Sequence, residues 1–284
     1  MEKLVSASWL ADHLTAADLV VLDASMHLPD AKRDAREEYR AGHIAGARFL
    51  DLASLNDDSA PAAKAVPNAE QLAERLSSLG IEPSHRIVLY DDSAIKTSAR
   101  AWFILTLHGI EQVAILDGGL AAWKAAGGAI DTGDAPASPS QFPADALDRD
   151  GKMLRDKSDV LDILDEDEQQ LVDARSQERF ESADADPVHD VEGGHIPGSR
   201  NVPFSKLFDD NGRYRDNDEL RAVFEDAGLD LSKPITTSCG SGVTASTLFF
   251  ALDRLGHDKT ALYDGSWLDW GSDPATPKET GPAR

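Results

Sequence analysis

Pro234-Ile-Thr-Thr-Ser-Cys239-Gly-Ser-Gly242-Val-Thr-Ala-Ser-Thr-Leu-Phe-Phe-Ala-Leu252 changes character twice along its length. It opens as a short β-branched run, crosses two glycines, and continues from Val243 with the dense apolar pattern of a buried helix. Strand, tight loop and helix in that order form the half-unit of a parallel α/β sheet. The junction falls at the carboxyl end of the strand, where open α/β sheets bind ligands. Gly240 and Gly242 let the backbone curl so that several N–H groups point inward, and the following helix adds the positive end of its dipole. A thiol in that ring is favoured as thiolate, its reactive form, so Cys239 reads as a nucleophile. The alternative is a buried, inert cysteine, since a free cysteine packs as a small hydrophobe.

Outward from this stretch, the chain says nearly the same thing twice. Leu19-Val-Val-Leu-Asp23, Gly42-His43-Ile-Ala-Gly-Ala47, Arg86-Ile-Val-Leu-Tyr90 and Leu116-Asp-Gly-Gly119 with Trp123 occupy the first half. Gln170-Leu-Val-Asp173, Gly194-His195-Ile-Pro-Gly-Ser199, Pro234–Ser238 and Tyr263-Asp-Gly-Ser266 with Trp270 answer them in the second. The separation stays at about 150 residues throughout, which marks a duplicated domain rather than a solenoid of short repeats. Strands are predicted at Leu19–Asp23, Arg86–Tyr90, Val113–Leu116, Gln170–Asp173, Pro234–Ser238 and Thr260–Tyr263. Helices are predicted at Ala69–Leu79, Ser98–His108, Asp218–Ala227 and Val243–Leu255, with a further solvated helix in the acidic stretch Asp156–Gln170. The fold class is therefore α/β, two tandem domains each with a mostly parallel sheet flanked by helices. Gly127–Ser140, rich in Gly, Ala, Pro, Asp and Ser, reads as linker. The expected division is 1–128, a linker over 129–155, and 156–284. At Asp91, where the second half has Cys239, the first half carries no thiol, so the second half is read as the catalytic one.

Composition narrows the class. The 284 residues are 41% hydrophobic and 28% charged, enough for a core and too apolar for a disordered chain. Lys and Arg number 28 against 51 Asp and Glu, a net charge of -23 that repels phosphate backbones and argues against nucleic-acid binding. Apolar runs are far shorter than a membrane span, and the opening residues lack a secretory pattern, so a cytoplasmic location without a membrane is expected. With one cysteine and no close histidine pair, neither a disulfide nor a metal centre is expected. A cysteine phosphatase would want an arginine six residues beyond the thiol, and position 245 is alanine.

Together, the Cys239-Gly-Ser-Gly-Val-Thr-Ala245 loop, both His-Ile segments, Tyr263-Asp-Gly-Ser-Trp267 and Leu22-Asp-Ala-Ser25 resemble the two-domain rhodanese-fold sulfurtransferases, and the uncharged loop is most similar to the 3-mercaptopyruvate branch. The resemblance runs over nearly the whole chain. It implies that Cys239 takes sulfur from 3-mercaptopyruvate, holds it as a persulfide, and passes it to a thiol such as thioredoxin or to cyanide, with no cofactor. It further implies that Arg179 holds the donor carboxylate, that Gly240, Gly242, Val243 and Thr244 line the site, and that Ser241 with His43 and Asp34 helps activate the donor. His43 also admits a structural reading, because His195 occupies the same place in the other half, and Asp34 lies in a charged stretch with Asp30. Arg175 is read as structural. One departure stands out: the mercaptopyruvate enzymes usually carry a second arginine nine residues after the first, and Val188 stands there, with His189 and Arg200 nearby. Thiosulfate is the alternative donor within this class, and a non-catalytic sulfur-carrier or docking module is the alternative outside it.

Overall fold

Each half of the chain folds around a five-stranded sheet whose inner strands are the apolar runs of the sequence. The computed structural model describes residues 1–283 apart from 61, 63, 137 and 165–167. It divides into two units. The first holds Met1–Asp57, Val66–Asp150 and Asp210–Tyr214; the second holds Asp58–Ala65, Gly151–Asp209 and Arg215–Arg284.

In the first unit the order is β1 (Leu4–Val5), α1 (Ala7–His13), β2 (Leu19–Asp23), α2 (Ala35–Ala41), β3 (His43–Ile44), β4 (Arg48–Phe49), α3 (Ala69–Ser78), β5 (Arg86–Tyr90), α4 (Ser98–Leu107), β6 (Val113–Leu116), α5 (Gly119–Ala125) and β7 (Ile130–Asp131). The sheet runs β1-β6-β5-β2-β4 with every pairing parallel. Such strands are covered on both faces, which is why β2 and β5 read as continuous apolar runs rather than alternating ones. Helix α4 is buried along nearly its whole length. By contrast α3 is amphipathic and starts from a reciprocal capping box between Asn68 and Gln71, a device that contributes about 1 kcal/mol.

The second unit repeats the plan with β8 (Leu154–Arg155), α6 (Lys157–Ile163), β9 (Gln170–Asp173), α7 (Gln177–Glu181), β10 (Arg200–Asn201), α8 (Asn217–Asp226), β11 (Ile235–Ser238), α9 (Ala245–Arg254), β12 (Thr260–Tyr263) and α10 (Ser266–Gly271). Its sheet, β8-β12-β11-β9-β10, has the same order and is again all parallel. Its core gathers Val160, Ile163, Leu171, Ile196, Tyr263, Trp267 and Trp270. The two indoles are fully buried, and each donates its N–H to a backbone carbonyl, of Glu192 and Pro277 respectively.

The predicted inner strands and long helices match these elements to within two residues at each end. The stretch 129–155, read as a linker, is divided between the units at Asp150, and Ile130–Asp131 forms an antiparallel pair with His43–Ile44. The helix expected over Asp156–Gln170 is shorter, α6 starting from an Asp156–Asp159 capping box; part of that stretch lies outside the described residues. Among the described residues no helix is long and apolar enough to cross a membrane.

Candidate active site

Cys239 follows directly on β11, the central strand of the second sheet, and is 1% exposed. Its surroundings are polar. The backbone N–H of Cys239 donates to the Ser266 hydroxyl at 3.1 Å, and that of Gly242 donates to the same oxygen at 3.2 Å. Ser266 in turn donates to the Tyr263 carbonyl at 2.8 Å, with the Cys239 thiol 4.0 Å away. A hydroxyl has one proton and two lone pairs, so this set saturates it. The main chain of α10 closes the arrangement: Trp267 N–H donates to the Cys239 carbonyl at 3.0 Å and Leu268 N–H to that of Gly240 at 2.8 Å.

The loop needs its glycines. Gly242 has φ +76°, the left-handed region that glycine enters freely. A Cβ on Gly240 would lie 2.3 Å from His189 Nε2 and 3.1 Å from Arg179 Nη2, so the space over that backbone belongs to those two side chains. Ser266 holds φ +51° without being glycine, a strained conformation held by its four polar contacts. The amides of Gly240, Ser241, Val243 and Thr244 donate to no described residue, nor does the Ser241 hydroxyl. A row of unclaimed N–H groups beside a buried sulfur, at the start of the ten-residue α9, is suited to an anion.

Arg179 projects from α7. Its Nε and Nη2 grip both oxygens of Asp186 at 2.8–3.0 Å, which leaves one N–H on Nη2 and both on Nη1. Asp186 also accepts from the amides of Val188 and His189 and pairs with Arg175 Nη1 at 3.3 Å. Burial alone would raise this carboxyl, but the Arg179 guanidinium, the Val188 amide and Arg175 outweigh it and hold it below the usual value. Arg175 has no exposed side-chain surface, bonds Asp173 at 2.7 Å and the Gly194 carbonyl at 2.8 Å, and stacks 4.7 Å over Trp267. It is a packed strut.

Cys239, Ser241, Arg179, Gly240, Gly242, Val243 and Thr244 thus gather in one unit. His43 and Asp34 belong to the other. There Asp34 accepts from the amides of Arg36 and Glu37 and caps α2. His43 is buried, stacks 4.0 Å from the Tyr39 ring, and its Nδ1 lies 2.8 Å from the Tyr39 carbonyl. His195 repeats this in the second unit, 3.7 Å from the Phe180 ring and 2.9 Å from the Phe180 carbonyl. Sequence reasoning missed Ser266 and Asp186 as site residues. Ser266 had a signal, because the second half has serine where the matching Asp-Gly-Gly119 of the first has glycine.

Comparison with known proteins agrees with this architecture. A family model described as a rhodanese-like domain matches residues 6–126 and again 156–273. The 3-mercaptopyruvate sulfurtransferase of Escherichia coli K12 is 36% identical over 276 residues, covering 97% of this chain and 97% of that protein. A thiosulfate sulfurtransferase of Cricetulus griseus is 34% identical over 274 residues, covering 94% and 91%. Among solved structures, that of SseA from Escherichia coli, a 3-mercaptopyruvate sulfotransferase, superposes with a TM-score of 0.84 at 35% identity, covering 94% of this chain and 99% of that one.

Proposed function

The chain belongs to the rhodanese family, and from that premise we propose that it is a sulfurtransferase that takes sulfur from 3-mercaptopyruvate and hands it to a thiol or to cyanide. The observation that carries this reading is the loop after β11, where a lone cysteine sits among amides that meet no acceptor among the described residues, with Arg179 Nη2 close over Gly240.

The steps follow from the chemistry of that loop. The Cys239 thiolate attacks the donor sulfur; an S–S bond forms and the C–S bond breaks, its electron pair leaving on carbon as the enolate of pyruvate, which takes up a proton. The enzyme keeps the sulfur as a Cys239 persulfide, and the loop amides stabilise its terminal anion. An acceptor thiolate then attacks the outer sulfur and releases the Cys239 thiolate, with no net oxidant required. Ser241 is positioned in sequence to contact the donor, and Arg179 offers charge-assisted bonds to its carboxylate. His43 and Asp34 carry the stacking and capping roles described above, so this proposal places the chemistry on the second unit. A thioredoxin-like thiol is the proposed acceptor and the cytoplasm the proposed location.

Intact mass after mixing with 3-mercaptopyruvate tests the reading. A gain of one sulfur atom that a thiol reverses, absent in Cys239→Ser, is expected. No gain, or full turnover by Cys239→Ser, overturns it and favours a docking module. Thiosulfate is the competing donor, since relatives of nearly equal identity act on it by name. The neutral Gly240-Ser-Gly242 run offers a dianion no countercharge. A kcat/KM for thiosulfate above that for 3-mercaptopyruvate would reverse the order.

A further inference from the structure

We propose that His189 is a specificity-determining residue of this site, donating from Nε2 to the second oxygen of the donor carboxylate while Arg179 holds the first. The inference rests on the sulfurtransferase reading and deepens it.

Asp186 occupies one edge of Arg179, so a planar carboxylate approaching over the loop meets only the remaining N–H groups. Gly240 is crowded from above by two groups, and the nearer is His189 Nε2. The imidazole hydrogen-bonds to no described residue, whereas its own backbone N–H is fixed by Asp186 at 3.1 Å. One carboxylate therefore orients both donors: it clamps Arg179 through its side chain and sets His189 through its main chain. Left-handed Asp190, φ +53°, turns the chain away immediately afterwards.

The charge state of the ring bears on which donor is taken. Burial pushes the His189 imidazole down to about 4; Asp186 works the other way, while Arg179, Lys64 and Arg175 add to the fall. Lys64 comes from the Asp58–Ala65 segment that belongs to this unit. At neutral pH the site thus presents one fixed guanidinium and one neutral hydrogen-bond donor over the loop. That pair of donors suits a monoanionic carboxylate more than a dianion.

Binding of 3-mercaptopyruvate is read by calorimetry on Cys239→Ser, which cannot react, and on the same protein carrying His189→Ala or His189→Gln. Loss of one hydrogen bond to a charged group predicts a Kd about tenfold higher for His189→Ala, and a Kd within about threefold of the parent for His189→Gln, which keeps a neutral N–H donor. In the Cys239 enzyme the same change appears in KM, with kcat altered less than about threefold. An unchanged Kd for His189→Ala, no rescue by glutamine, or no binding at all to Cys239→Ser overturns the inference. The mass experiment on wild type stands apart: sulfur uptake with an unchanged His189→Ala Kd sinks the His189 role alone, whereas no uptake sinks the sulfurtransferase reading.

Discussion

The loop after β5 and the loop after β11 occupy the same place in two sheets of identical strand order, and they differ in what satisfies their amides. After β5 the chain uses its own side chain: Asp91 accepts from the Ser93 amide at 2.9 Å and from the Ser98 amide, at the start of α4, at 2.8 Å. After β11 the Cys239 side chain offers no acceptor oxygen. Part of the acceptance passes to Ser266, and the other amides stay unclaimed. The residue facing each loop follows suit. Gly119 has φ +56° and a Cβ there would lie 2.3 Å from the Asp91 carbonyl, so only glycine fits. Ser266 has nearly the same φ, but its side chain is the acceptor the loop lacks. One fold thus makes either a self-satisfied turn or an anion site, depending on whether the acceptor is built into the loop.

The largest expected effect tests whether the open loop is chemically used. Cys239→Ser removes the sulfur carrier and lowers sulfur transfer at least about 10³-fold in a steady-state assay. Installing the first-half residue opposite the loop is next. Ser266→Gly relieves the left-handed strain yet leaves two buried amides without an acceptor, each worth about 1–3 kcal/mol. A fall in kcat of about 10–100-fold is expected, with a lower denaturation midpoint in urea. A Ser266→Gly enzyme with full kcat would show that the loop holds its shape without the hydroxyl.

The contrast was half visible in the sequence. Inner strands and buried helices were legible because continuous apolar runs and dense helical spacing are themselves consequences of two-sided burial, as β2, β5 and α9 show. Cys239 was legible because Gly240 and Gly242 follow it at a strand end. The edge strands β1, β4, β8 and β10 are two residues long and carry no periodicity to detect. Asp186 looks like any surface acid, and only tertiary contact with two arginines reveals its role. The His-Ile segments repeat a ring stacked on an aromatic neighbour, with Nδ1 against that neighbour's carbonyl, in both halves.

Removing the built-in acceptor of the first loop sharpens the comparison from the other side. Asp91→Ala strands the amides of Ser93 and Ser98, and a loss of about 1–3 kcal/mol in urea unfolding is expected. The stability of Asp91→Asn should fall between the two, because its amide oxygen keeps one acceptor. Donor KM and kcat should hold if the transfer runs on the second loop, as proposed. A collapse of kcat in Asp91→Asn would mean that the first loop contributes to the chemistry.

The smallest effect concerns the ring over the second loop. Burial holds His189 near 4 in the folded protein, against an ordinary value of 6.5. Between those values the unfolded chain binds the proton first, so unfolding takes up protons and stability falls as the pH drops from 6.5 towards 4, then levels off below it. The ring is only partly buried, so solvent screening reduces the contribution to about 1–2 kcal/mol. His189→Gln removes the titrating group and should flatten that part of the stability curve, while Asp186, held low by its arginines, keeps its own acid loss at still lower pH. Urea midpoints at pH 7.0 and 4.5 for both proteins decide it. An equal drop in the two would show that the ring titrates normally and faces water, and a ring facing water could not sit over Gly240 as the neutral partner of Arg179.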